Sequence, residues 1–175
     1  MKYFLSIIVL VLLMSCNKTE PGLEYNLIET INNYRIEKKL EPIPESEALN
    51  IVAQAHIDDL INYYSINDSC NLHTWSENGN WTSCCYNSTH TMADCMWDKP
   101  KELTWYKSAG YEIAAYSSGE MTADLALSLW IESQGHHNLI INKDIWKDVK
   151  WKAMGAAIKD GYAVVWFGEL TDKGN

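Results

Sequence analysis

Four side chains in this sequence have the chemistry of an ion or acid–base site: His73, Glu112, Glu132 and His136. Two imidazoles with carboxylates nearby can hold a zinc-like divalent ion and leave a position for water. Glu132 and His136 are four apart near the end of a helical pattern, which predicts that they share one face. Glu112 alternates with Tyr111 and Ile113 in a strand-like run. It is therefore expected to point inward, where carboxylates are rare and usually partnered. His73 lies in a segment rich in cysteine. His56, by contrast, sits inside an apolar helical stripe and reads as a hydrogen-bonded core histidine. Taken singly, each of the four is more often an ordinary surface or core group, so the case depends on the elements that carry them.

Leu23 to Lys39 carries apolar residues at Tyr25, Leu27, Ile28, Ile31, Tyr34 and Ile36, an approximate helical stripe stopped by Pro42 and Pro44. Ser46 caps a second helix running to about Tyr64, with Leu49, Val52, Ala53, His56, Leu60 and Tyr63 on one face. Asn67 to Lys99 has no period and is rich in Asn, Ser, Thr, Cys, Trp and Gly. A loop of that length inside a domain is usually functional or cross-linked. A short helix is expected from Pro100 to about Lys107, and a strand from Tyr111 to Tyr116. Thr122 caps a third long helix. Its residues Leu125, Leu127, Leu129, Trp130 and Ile131 make it apolar nearly all round, so it is expected to be buried. Ala153–Ile158 and Tyr162–Phe167 are β-prone runs flanking Asp160-Gly161, a hairpin signal. Helices, an irregular loop, then strands mixed with a helix predict an α+β sandwich.

The N-terminus carries a targeting signal. Lys2 precedes an apolar run ending at Met14, too short to span a bilayer, which takes about 20 residues. Leu13-Met14-Ser15-Cys16 resembles the bacterial lipobox, in which the cysteine is diacylated and begins the mature chain. Residues 1–15 are then the signal peptide, 16–22 a lipidated tether, 23–170 the domain and 171–175 a tail. Two acyl chains on Cys16 would hold the protein to a membrane. Asn17, rather than Asp, after that cysteine points to the outer membrane. The net charge of −9 becomes −10 once Lys2 leaves with the signal. Nucleic acid and anionic lipid would both be repelled, so neither is an expected partner. Cys70, Cys84, Cys85 and Cys95 fall in one stretch bound for an oxidising compartment and predict two disulfides. Adjacent Cys84 and Cys85 would bridge each other only under strain, so each pairs with Cys70 or Cys95, in an order the spacing leaves open. A four-cysteine zinc site is the rival, without the usual C-x2-C pairs. Three N-x-S/T sequons, at Asn67, Asn80 and Asn87, are read as chance in a bacterial chain.

The local words carry more. Asn32-Asn33-Tyr34-Arg35 matches N-x-x-R, Leu49 to His56 reads L-x-x-x-A-x-x-H, and His73-Thr74 matches H-[TS]. Gly110-Tyr111-Glu112-Ile113-Ala114 stands where G-E-N-I-A is expected. Trp130-Ile131-Glu132-Ser133-Gln134-Gly135-His136-His137-Asn138-Leu139-Ile140 follows W-x-x-S-x-G-H-R-x-N-I-L. In order and spacing these resemble the CAP superfamily of cysteine-rich secretory, antigen 5 and pathogenesis-related proteins (the SCP domain), from about Leu23 to Glu169. Met154-Gly155-Ala156-Ala157 and Val164-Val165-Trp166-Phe167-Gly168 resemble its closing strands. The resemblance implies a three-layer α-β-α sandwich with a cleft lined by two histidines and two acids. His73 and His136 match the cleft histidines and Glu112 the glutamate of G-E-N. Glu132 stands for the remaining acid, at a position that varies among bacterial members. Tyr111 and Ile113 depart from the pattern and narrow the cleft, and His137 in place of Arg adds a third imidazole.

Three functions follow from that resemblance and these residues. The favoured one is a binding module holding a divalent metal in the cleft and a lipid, sterol-like or glycan ligand beside it. Trp75, Trp81 and Trp97 lie around His73 and are expected to line the cleft. The alternative is a metal-dependent hydrolase with Glu112 or Glu132 as general base. No serine sits in a nucleophile elbow and each of the four cysteines of the domain is expected to have a disulfide partner, which disfavours covalent catalysis. The third is an adhesive or structural surface protein with the tetrad as an inherited polar cluster.

Overall fold

The computed structural model describes residues 22–65 and 69–173. The signal segment, Cys16, the tether up to Pro21 and the sequon at Asn67 lie outside the described residues. Six α-helices and three strands are present among them: α1 (Leu23–Glu37), α2 (Glu47–Tyr63), α3 (Ala93–Trp97), α4 (Lys99–Leu103), β1 (Gly110–Tyr116), α5 (Ala123–Glu132), α6 (Gln134–Ile140), β2 (Ala153–Lys159) and β3 (Tyr162–Gly168).

The sheet is antiparallel throughout, in the order β1-β3-β2. The β2–β3 turn places Asp160 at φ 46° and Gly161 at φ 84°. Two successive left-handed residues are what a two-residue type I′ hairpin requires, and Asp-Gly supplies them. Alternation along the strands sorts side chains into two cores. Ile113, Ala115, Met154, Ala156, Val165 and Phe167 pack with Leu27, Ile31, Ala126 and Trp130 from α1 and α5. Ala114, Ala157, Val164 and Trp166 pack with Leu49, Val52, Ala53 and Ile57 from α2. The expected three-layer α-β-α sandwich follows, and Glu112 belongs to the α2 side.

The helix starts follow the sequence closely. Ser46 Oγ accepts the Leu49 amide at 3.1 Å and Thr122 Oγ1 accepts the Leu125 amide at 3.2 Å, each satisfying an otherwise orphaned N–H. Three expectations need correction. The third long helix is buried only at Ala126 and Trp130, while Leu125, Leu127 and Leu129 are half-buried and Ile131 exposed. It packs against α1, β1 and α6 and leaves its remaining face to solvent. That helix also ends at Glu132, because Ser133 is extended (φ −91°, ψ 108°) and α6 starts afresh at Gln134. The helix expected from Pro100 is shorter, ending where Thr104 turns extended.

Helix α2 approaches β2 so closely that only a glycine fits between them. A Cβ on Gly155 would sit 2.2 Å from the Leu49 carbonyl carbon and 2.3 Å from the Asn50 amide nitrogen, both backbone atoms that cannot swing aside. Gly155→Ala is expected to destabilise the fold by about 1–3 kcal/mol, as overpacked core sites do. A thermal or urea unfolding comparison with the parent chain checks this, and unchanged stability would mean that α2 can be lifted from the sheet freely.

Candidate functional site

Glu112 is the centre of the site. It is 5% exposed as a residue, and its side chain is fully buried on the α2 face of edge strand β1. His56, from the middle of α2, brings Nδ1 to 2.9 Å from Glu112 Oε2, outside the alignment of a good hydrogen bond, so the attraction is chiefly one of charge. His56 Nε2 faces the Thr74 carbonyl at 3.0 Å. Both ring nitrogens thus face oxygen acceptors. Its ring stacks on Trp75, centroids 4.3 Å apart and 10° from parallel. On the other side, His73 Nδ1 donates to Glu112 Oε1 at 3.1 Å. Burial alone would raise the Glu112 pKa, but the charge and contact of His56, then those of His73, outweigh it and bring it down to about 2.

The irregular segment that carries His73 is tied down at several points. Cys70–Cys85 and Cys84–Cys95 form the two disulfides, which resolves the pairing and sets aside the four-cysteine zinc site. Trp75 and Cys84 exchange backbone hydrogen bonds of 2.9 and 3.0 Å. Asp59, buried on α2, accepts from the Ser76 amide at 2.7 Å and the Ser76 hydroxyl at 2.5 Å. These ties hold His73 against β1, where it meets Glu112.

His136, on α6, stands opposite with its ring 6.0 Å from that of His73. Burial first, and then repulsion from His73, lowers its pKa to about 4 against the pull of Glu112. It is therefore neutral near pH 7. His73, Glu112 and His136 line one cleft of about 520 Å3, with Trp97, Tyr111, Trp146, Met96, Leu139 and Ile145 as its apolar wall. Tyr111 forms part of that wall, as expected, but Ile113 points the other way, into the core against α1 and α5, and does not narrow the cleft.

Several expected positions are elsewhere. Glu132 is exposed and lines no part of the cleft, because the break at Ser133 removes the four-residue helical relation to His136. Trp75 is buried in the core against His56, and Trp81 packs edge-on against Trp75, its Nε1 donating to the Ser76 carbonyl. Of the three tryptophans only Trp97 reaches the cleft. His137 turns away and pairs with the Tyr34 hydroxyl at 2.8 Å. The third imidazole of the cleft is instead His90, held by Tyr86 at 2.8 Å. His56 is the core histidine expected, and it is also the main electrostatic partner of Glu112. Sequence reasoning passed over His90, Tyr86 and Trp146, whose neighbours carry no periodic signal. The pairing of His56 with Glu112 was open to inference only as two buried groups of opposite charge tendency.

The sequence profile of the cysteine-rich secretory protein family (CAP) matches residues 28–147, more than half the chain. The protein belongs to the CAP family. No curated protein matches its sequence. Three solved structures share the CAP fold with this chain. An outer surface protein from Borrelia burgdorferi aligns at 19% identity and TM-score 0.55, over 82% of this chain and 89% of that one. A cysteine-rich secretory protein from Staphylococcus aureus aligns at 17% identity and TM-score 0.54, over 87% of this chain and 40% of that one. An extracellular protein containing an SCP domain from Bacillus anthracis aligns at 17% identity and TM-score 0.58, over 83% and 40%. The CAP chain here thus spans under half the length of the latter two.

The two perturbed groups give the CAP domain a defined acid response. His136 has a folded pKa of about 4 against an ordinary 6.5, so the unfolded chain binds the extra proton first and stability falls as pH drops through that window. Glu112, lowered from 4.5 to about 2, adds a second loss between those values. Unfolding free energy measured from pH 7 to pH 3 is expected to decline in both stretches. His136→Asn should flatten the upper one and leave the lower, and a parallel decline in that variant would mean that His136 is not held neutral.

Proposed function

We propose that this CAP protein is an exported, lipid-anchored binding module that receives a lipid, sterol-like or glycan ligand in the cleft beside Glu112. The observation that carries the reading is the make-up of the cleft. Its wall is aromatic and aliphatic, with Trp97, Tyr111, Trp146 and Ile145, while His73, His90 and His136 supply a few polar contacts. Small-molecule sites have this character and span roughly 300–1,000 Å3. Aromatic faces suit apolar ligands and sugar rings alike. Ile145 is 78% exposed at the rim, an apolar side chain placed to meet a ligand. The lipobox supports attachment through Cys16 to the outer membrane, and the surface or extracellular character stated for the three similar structures supports export. No helix among the described residues is long and apolar enough to cross a membrane.

A divalent ion such as zinc fits the cleft only in a restricted way. With Nδ1 of His73 engaged by Glu112, its Nε2 is the nitrogen left to face an ion, and burial keeps His136 neutral. A carboxylate behind a ligating histidine is a common metal-site arrangement. Yet among the described residues no group of three or more His, Cys, Asp or Glu side chains is disposed to hold a metal. Two imidazoles are one short of the three protein ligands of a catalytic zinc. His73 and His136 would therefore hold an exchangeable ion that polarises whatever oxygen the ligand presents. The hydrolase reading is weaker, because both Glu112 oxygens face imidazoles and a carboxylate held near pKa 2 is a poor proton acceptor.

Calorimetric titration with zinc, in the protein and in its His73→Ala/His136→Ala variant, tests the ion site. Heat of binding is expected in the first and is absent from the second. For the ligand, a fluorescent fatty acid or sterol probe should bind with at least tenfold weaker affinity when Trp97→Ala and Ile145→Asp are combined, about 1.4 kcal/mol. Equal binding by that variant would remove the cleft as the ligand site.

A further inference from the structure

A second cavity, of about 700 Å3, shares no lining residue with the cleft. It contains Arg35, which is only 4% exposed. The guanidinium spends three bonds on neutral acceptors: Nε donates to the Glu41 carbonyl at 3.1 Å, and Nη1 to the Ile140 carbonyl at 2.5 Å and Asn142 Oδ1 at 2.8 Å. The Ile140 contact braces the C-terminal end of α6, which explains Nη1. Nη2 takes no part in these bonds and is not among the fully buried polar atoms, so it is open to the cavity, and the charge has no ion pair among the described residues. Burial is the one influence on its pKa, which falls to about 10. A buried cation with no counter-ion is an unfavourable arrangement that an anion would relieve.

The surroundings favour such an anion. Lys147, Lys150 and Lys152 line the same cavity, all exposed, so four cations face the two carboxylates of Glu41 and Asp148. The remainder of the wall is Asn142 and the apolar Leu40, Val149 and Trp151. The sign of charge is reversed locally in a chain whose net charge is −9. That overall charge repels polyanions and anionic membranes, and it bears far less on a small ion that fits inside the cavity. We propose that this cavity binds a small organic anion, a carboxylate or phosphate carried on an apolar or sugar-ring body, with the oxyanion at Arg35 Nη2 and the body against Trp151. The bond to Nη2 is charge-assisted, which makes it stronger than one between neutral groups. The three lysines gather the anion at the entrance.

The test is a 15N NMR titration of the protein with potassium glucuronate and, separately, inorganic phosphate, following the Arg35 Nε–H and Trp151 Nε1–H signals. Potassium chloride at matched ionic strength is the control. Saturable shifts of both signals with glucuronate or phosphate, and none with chloride, are expected. The Lys147→Ala/Lys150→Ala/Lys152→Ala variant alters only exposed side chains and should keep the fold. Its affinity should drop by about tenfold or more, as the loss of three nearby positive charges predicts. Phosphatidylglycerol vesicles should leave both signals in place. Shifts that chloride reproduces, affinity unchanged in the lysine variant, or a response to vesicles alone would each overturn the proposal.

Discussion

A carboxylate buried on an edge strand, with an imidazole on either side, sets the terms for the site. An isolated ionised Glu112 in that position would be strongly unfavourable, and a protonated one would offer the two histidine nitrogens only a neutral, weaker acceptor. The arrangement is therefore satisfied only when α2, β1 and the cysteine-bound segment are all in place at once, since each contributes one member. The surrounding structure can be read as support for that condition. Gly155 lets α2 settle onto the sheet, Asp59 ties the segment back to the same helix, and Trp75 stacks on the His56 ring. His136 is held by different means, on a helix whose C-terminal end is braced by Arg35. The cleft thus joins one rigid wall, fixed by charge, to a second wall fixed by helix capping.

The fold was legible in the sequence wherever one residue's local chemistry decides the backbone. Ser46 and Thr122 announce helix starts because their hydroxyls have one obvious use, and Asp160-Gly161 announces a hairpin because few pairs accept two left-handed residues. Motif spacing identified His73, Glu112 and His136, and they do line one cleft. Reasoning by helical period failed at Glu132, since nothing in Glu132-Ser133-Gln134 warns that Ser133 will leave the helix and cap the next one. It failed again for Trp75 and Trp81. Sequence proximity to His73 says nothing about which face of an irregular loop a ring will take, and the stacking partner that draws Trp75 inward is 19 residues upstream. His90 and Trp146 reach the cleft from segments whose course is set by cross-links and turns, so no period could have marked them.

Aromatic contacts run continuously from the cleft toward the second cavity. Trp97 meets Tyr111 at 5.5 Å, Tyr111 meets Trp146 at 5.0 Å and Trp151 at 5.5 Å, and Trp151 rests on Phe167 in the core. The wall of one site is thus packed against the wall of the other, with no flexible layer between them. Close packing of this kind transmits small displacements poorly in a continuous sense and well as a discrete repacking.

The adjacency of Cys84 and Cys85 has a consequence for how the chain reaches its native connectivity. The native bridges join positions 15 and 11 apart, and the crossed alternative, Cys70 with Cys84 and Cys85 with Cys95, would join positions 14 and 10 apart. Loop-closure entropy varies so slowly with length that it cannot tell these isomers apart. The choice must be made by geometry, and the backbone pairing of Trp75 with Cys84 is the feature that makes it, because it fixes which of the two neighbouring sulfurs faces inward. Cross-linking in this protein is accordingly a readout of folding already under way: the oxidant supplies the bonds, and the emerging sheet-side structure selects the isomer.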